Sequence, residues 1–175
     1  MSKGITNIVV AGLGGQGVLK ASDILAEAAL HAGHDVKKSE IHGMSQRGGS
    51  VSSDVRFGGN VLSPMVPDGE ADYLVVLDDT QVAVNRHYLR EGGILVAPDV
   101  FYDEEAGIED VDDLEHDEDN PVTRRNLNVA ILGVLNHHLG FSEEDMLGAI
   151  RANLPQRYHE ANIEVFRYAA RLAQG

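Results

Sequence analysis

The chain contains no cysteine. That excludes disulfides, thiolate metal sites, cysteine-ligated iron–sulfur clusters and a thiol nucleophile from its own residues. It also lacks any apolar run near the roughly 18–20 residues that a membrane span needs, so no membrane association is expected. Its first residues carry one lysine and a short strand-like apolar run, which does not read as a signal peptide; the expected location is cytoplasmic. Basic residues are scarce: 14 Lys and Arg stand against 28 Asp and Glu, a net charge of −14. Binding to a phosphate backbone needs a basic face, so nucleic acid is not an expected partner. No Ser/His/Asp triad can be read, and no repeat or low-complexity tract. The eight histidines show no metal spacing. His137 and His138 adjoin on one helix and point to different faces, while His31, His34 and His87 read as surface residues.

What is present is ordinary for a globular protein, with 43% apolar and 24% charged residues over 175 positions. One domain spanning 1–175 is expected, able to bury roughly 70% of its unfolded surface. The charge is uneven. Between Asp99 and Asp119 there are twelve acids and no Lys or Arg, leaving 28 − 12 = 16 acids against 14 bases elsewhere. An acidic loop over 99–120 is therefore expected, read either as a solvated, mobile segment or as a surface that docks or repels another protein.

The chain opens as strand, glycine turn, helix, strand. Asn7 to Ala11 reads as a buried parallel strand, and Val18 to Ala32 repeats its apolar positions at helical spacing with Gly33 as C-cap. Asp35 to Ile41 forms a second strand. Ser50 to Phe57 alternates, with Ser52, Asp54 and Arg56 on a wetter face. Gly58-Gly59-Asn60 reads as a hairpin turn returning through Val61-Leu62. Ala71 to Leu77 is another buried strand, Thr80 to Leu89 a helix, and Gly92-Gly93 a turn into a strand from Ile94 that Pro98 ends. Helices follow from Asn126 to Leu139, after a Ser142 cap with Asp145 at the capping-box position, and from Tyr158 to Ala173. The expected fold is α/β: a Rossmann-like open, mostly parallel sheet with helices on both faces and one antiparallel hairpin.

Two glycine-rich turns follow strands, which places both at the carboxyl edge of one sheet, where open α/β folds bind ligands. The first, Gly12-Leu13-Gly14-Gly15-Gln16-Gly17, fits the dinucleotide fingerprint between a strand and a helix. Its glycines let backbone N–H groups approach a pyrophosphate, and Glu40 at the end of the second strand stands where a ribose-binding carboxylate could. The same turn also reads as tight strand-to-helix geometry that holds nothing. No hydride-transfer residues are legible downstream. The second turn, His42-Gly43-Met44-Ser45-Gln46-Arg47-Gly48-Gly49-Ser50, presents one guanidinium among backbone N–H groups. Arg47 is a candidate anion clamp through paired hydrogen bonds, or an arginine that fixes its own loop. His42 is a candidate for proton handling.

The run Gly12–Gly17, the run Glu40-Ile41-His42-Gly43-Met44-Ser45-Gln46-Arg47-Gly48-Gly49-Ser50-Val51, and Pro64-Met65-Val66-Pro67 together resemble the gamma component of the 2-oxoacid:ferredoxin oxidoreductases. The likeness is greatest to the small beta subunit of the indolepyruvate enzymes. It continues through Gly69-Glu70-Ala71-Asp72 and Asn128-Val129-Ala130-Ile131-Leu132-Gly133, and leaves the acidic segment unmatched. The resemblance implies a subunit of an enzyme that oxidatively decarboxylates indolepyruvate or another 2-oxoacid to an acyl-CoA and passes electrons to ferredoxin. It implies that thiamine diphosphate and iron–sulfur clusters sit in a catalytic partner subunit and that coenzyme A is co-substrate. On that reading this chain binds no cofactor alone, is inactive alone and shapes the coenzyme A side. Gly12, Gly14, Gly15, Gln16, Gly17, Ser45, Gln46, Arg47, Gly48 and Gly49 are the expected binding residues. Two other readings compete: a free-standing Rossmann-type nucleotide-binding module and an NAD-dependent oxidoreductase. A homodimer of the isolated chain is left open.

Overall fold

A computed structural model describes residues 4–42 and 49–175. The expectations placed on the His42 side chain and on Ser45, Gln46, Arg47 and Gly48 lie outside the described residues. Five strands form one sheet: β1 (Thr6–Leu13), β2 (Asp35–His42), β3 (Ser50–Gly58), β4 (Ala71–Val76) and β5 (Leu89–Val96). Their order is β2-β3-β1-β4-β5. β1 pairs in parallel with β4, and β4 with β5. β3 lies between β1 and β2 and is antiparallel to both, so the other strands share one direction. The mixed, mostly parallel α/β sheet is as expected, but the antiparallel hairpin is a different one. It joins β2 to β3 across the second glycine turn.

Val61 and Leu62 form no return strand. Residues 61–67 instead cross the sheet as a strap, stapled by side chains of the two hairpin strands. Asp35 Oδ2 accepts from the Val61 N–H at 2.7 Å and Asp54 Oδ2 from the Val66 N–H at 2.8 Å. The Arg56 guanidinium donates to the Ser63 and Met65 carbonyls. These are the acid and the cation that the alternation in β3 assigned to a wetter face. The strap covers them, and Asp54 is 1% exposed.

Helix α1 (Val18–His31) packs on the sheet from one side, with α3 (Leu127–Leu139) beside it; α4 (Glu143–Asn153) packs on α1 and α5 (His159–Ala173) on α3. This face holds the main core, including Ile8, Val10, Ile24, Leu25, Ile131, Leu132 and Ile150. Each such side chain contributes about 1.5–3 kcal/mol on burial. The α1 stop reads as expected: Gly33, at φ +90°, follows the Ala32 cap, and the His34 N–H reaches back to the Ala29 carbonyl. His34 itself is half-buried, not a surface residue, its ring 5.0 Å from Phe57 and 6.0 Å from Phe141.

The opposite face is thin. Val9, Ala11, Leu74 and Val76 are covered there by Val66 of the strap and by α2 (Gln81–Asn85), a five-residue helix continued by a 3₁₀ turn over Arg86–Tyr88. The helix expected over Thr80–Leu89 is thus cut short, because Leu89 pairs with Ala71 and opens β5. The Gly92-Gly93 pair lies inside that strand rather than before it.

The acidic segment keeps all twelve of its carboxylates exposed, as a solvated loop does, but its backbone follows a defined path. It runs through 3₁₀ turns at Pro98–Phe101, Glu104–Ala106 and Val111–Asp113. Its own carboxylates cap its backbone: Asp103 accepts from Glu105 and Ala106, Asp110 from Asp112, Asp113 from Glu109 and Asp110, and Asp117 from Asp119 and Asn120. Asp is suited to this because its short side chain reaches N–H groups a few residues away along the chain, ahead for Asp103, Asp110 and Asp117 and behind for Asp113. Phe101, Leu114 and Val122 anchor the segment in the main core.

Candidate functional site

The carboxyl ends of β1 and β4 lie side by side, and a cleft of about 690 Å³ opens above them. The first glycine turn forms one wall. Gln16 folds back over it: its Oε1 accepts from the Leu13 N–H at 2.7 Å, and its Nε2 donates to Asp78 Oδ2 at 2.8 Å. Asp78 Oδ1 in turn accepts from the Thr80 N–H and hydroxyl. Burial pushes the Asp78 carboxyl up, but the hydrogen bonds from Thr80 and Gln16 outweigh it and hold the group below its usual range.

The glycines of the fingerprint divide by role. A Cβ on Gly12 would stand 2.8 Å from Val18 Cγ2, so this position sets how closely α1 approaches β1. Gly17 has φ +84°, and a Cβ there would lie 2.5 Å from Asn128 Nδ2 at the start of α3. Gly15, at φ +91°, has nothing within 4 Å of its Cβ position and is exposed to the cleft. The N-terminus of α1 carries no side-chain cap and no acid in its first turn, so its first N–H groups and the positive end of the helix dipole lie uncapped just behind Gly17, which lines the cleft.

The two glycine turns meet. The Gly14 N–H donates to the Gly49 carbonyl at 2.9 Å. Of the residues singled out in the sequence, Gly12, Gly14, Gly15, Gln16, Gly17 and Gly49 therefore belong to one sheet edge. Glu40 does not take the ribose position. β3 separates β2 from β1, and the Glu40 carboxylate accepts from Lys38 Nζ at 2.6 Å on the β2 surface.

Several lining residues were not singled out by the motifs. Asp78, Asp79 and Thr80 follow β4, and the edge rule that located the first turn locates them too. Asp110, Val111 and Asp112 come from the acidic segment, and Arg124 and Arg125 precede α3. The signal for the arginines was in the sequence: they end the long stretch without a base. Among the described residues the walls so hold two cations against four carboxylates. Tyr102 donates to Asp79 Oδ2 at 2.6 Å, tying the segment to the cleft. Burial, that hydrogen bond and the field of Asp79, Asp110 and Asp78 push the Tyr102 phenol far up, so it remains a donor at any physiological pH. Among the described residues no group of three or more His, Asp or Glu could hold a metal ion. No helix there is long and apolar enough to cross a membrane.

Residues 7–172 match the family described as pyruvate ferredoxin/flavodoxin oxidoreductase. The chain is 34% identical to indolepyruvate oxidoreductase subunit IorB of Thermococcus kodakarensis, over 96% of each chain. Its fold is similar to that of a keto/oxoacid ferredoxin oxidoreductase gamma subunit from Geobacter sulfurreducens, at a TM-score of 0.73 and 24% identity over 97% of this chain and 98% of that one. It is similar also to part of 2-oxoglutarate:ferredoxin oxidoreductase from Magnetococcus marinus, at a TM-score of 0.77 and 21% identity over 97% of this chain and 31% of that one. With its sheet, its paired glycine turns and a family match along nearly its whole length, the chain belongs to the pyruvate ferredoxin/flavodoxin oxidoreductase family.

Proposed function

We propose that this chain is the cluster-free subunit of a 2-oxoacid:ferredoxin oxidoreductase, that indolepyruvate is its leading candidate substrate, and that its cleft receives the phosphate-bearing part of coenzyme A. The relative at 34% identity is named an indolepyruvate oxidoreductase subunit, and the Magnetococcus structure is described with coenzyme A bound. The observation that carries the coenzyme A reading is that the glycine turn leading into the uncapped α1 lines one cleft with Arg124 and Arg125. Backbone N–H groups, a helix dipole and two guanidinium groups form a donor set for an anion.

The division of labour follows from the residues. With no cysteine in the chain, iron–sulfur ligands have to come from a partner subunit. The partner's thiamine diphosphate supplies the decarboxylation chemistry, and its clusters pass the electrons to ferredoxin. Gly15 and the start of α1 bind and orient the anionic end of the co-substrate, while Gln16 fixes the shape of the turn. Ser45, Gln46 and Arg47 are the candidate contacts to the partner's thiamine site or to the coenzyme A path on this reading. The whole chain acts as one cytoplasmic domain.

An NAD-dependent oxidoreductase is the weaker reading, because the Gly14 N–H is engaged with Gly49 and Glu40 lies one strand too far away. Titration calorimetry of the full chain with coenzyme A and with NAD separates the two, joined by a turnover assay with and without the companion subunit. Coenzyme A binding with no unaided turnover is expected. Tight NAD binding, or turnover of a redox substrate by this chain alone, overturns the proposal.

A further inference from the structure

The acidic segment reaches into the cleft at one defined place. Asp110 and Asp113 are occupied within the Val111–Asp113 turn, where they form a capping box. Asp112, between them, makes no such bond and pairs with Arg124 Nη1 at 3.2 Å. The segment is held in that position by Leu114 in the core and by the Tyr102–Asp79 hydrogen bond. Arg124, one of two cations that line the cleft among the described residues, where four carboxylates also line it, thus already has an anion on it.

We propose that Asp112 is a built-in competitor for the anion site, so that a phosphate group entering the cleft displaces the Asp112 carboxylate from Arg124. This rests on the coenzyme A reading of the cleft. The pair is solvent-exposed on both sides, with side chains 66% and 81% accessible. Pairs of this kind are weak and easily exchanged, which suits a contact that yields to a more highly charged ligand. The arrangement sets the affinity of the site and makes it sensitive to salt. It also disfavours singly charged anions, which gain little by replacing one carboxylate with another.

The test is calorimetric titration of coenzyme A into the full chain and four variants: Asp112→Asn, Arg124→Ala, the double variant, and Glu115→Gln as a charge-matched control in the same segment. Asp112→Asn is expected to tighten binding about threefold, Arg124→Ala to weaken it, and Asp112→Asn to have no effect once Arg124 is absent. Glu115→Gln is expected to match the native chain. An unchanged or weaker affinity for Asp112→Asn overturns the competitor while the coenzyme A reading stands, provided the native chain binds and Arg124→Ala binds less well. Equal tightening by Glu115→Gln also overturns it, since general charge would then be the cause. If neither the native chain nor any variant binds coenzyme A, alone or with the companion subunit, the coenzyme A reading fails and the competitor with it.

Discussion

The two faces of the sheet are built by different means. On one, α1, α3, α4 and α5 bury an almost wholly apolar core. On the other, a strap, a five-residue helix and a 3₁₀ turn cover a small apolar patch next to buried polar groups. Asp54 Oδ1 and Gln81 Oε1 are both buried there without a hydrogen-bond partner. The thick face buries few polar side chains, among them Ser22, Ser53 and the His34 ring, whose Nδ1 also lacks a partner, because helices satisfy their own backbone. A strap has no ladder, so its N–H groups must be met by side chains, and carboxylates such as Asp35 and Asp54 are brought inside to do it. The sharpest contrast should come from Ile131, which is fully buried in α3. Ile131→Ala is expected to cost about 2–5 kcal/mol by thermal or denaturant unfolding, through lost transfer energy and the cavity left behind.

The thin face should break in a different way, through hydrogen bonding rather than cavities. Asp54→Ala removes the acceptor for the Val66 N–H and is expected to cost about 1–3 kcal/mol. Asp54→Asn keeps one acceptor for the Val66 N–H and replaces the other, ionisable oxygen by an NH2 group, so its effect should depend on pH. Burial pushes the Asp54 carboxyl above its usual 3.8, against the pull of the Val66 N–H and Arg56. The folded chain therefore holds this proton more tightly than the unfolded one. The stability linked to it is present in full below the unfolded value and is lost as pH rises through the folded value. Asp54→Asn escapes that loss. It should gain on the native chain from pH 4 to pH 7, and a denaturation series over that range measures it. A gain that is flat with pH would mean that the native Asp54 has no raised titration.

The same contrast explains how much the sequence revealed. The thick face was legible because its signals are local and repeat: Val18 to His31 at helical spacing, Gly33 past its end, Ser142 as the cap of α4. The first glycine turn was legible because a strand, close-set glycines and a helix adjoin in the chain. The strap was not. Gly58-Gly59-Asn60 has the chemistry of a hairpin, but β1 already occupies the edge of β3 that Val61 and Leu62 would have needed. At Leu89, pairing with Ala71 overrides a helical pattern. Arg124 and Asp112 lie twelve residues apart with a folded segment between them. Their meeting depends on where Leu114 and Val122 enter the core, and no motif encodes that.

The smallest expected effect lies on the outer surface of the strap. Leu62 is 88% exposed, while its neighbours Val61 and Val66 are buried at 2% and 4%. If side-chain acceptors hold the strap and the apolar contribution comes from the two valines alone, Leu62 adds nothing to the folded chain. Leu62→Ser is then expected to shift stability by no more than about 0.5 kcal/mol, with an unchanged denaturant slope. A loss comparable to that of Asp54→Ala would mean that the strap packs through its leucine, and the distinction between a face built on apolar burial and one held by hydrogen bonds would fail at the point where it is drawn most sharply.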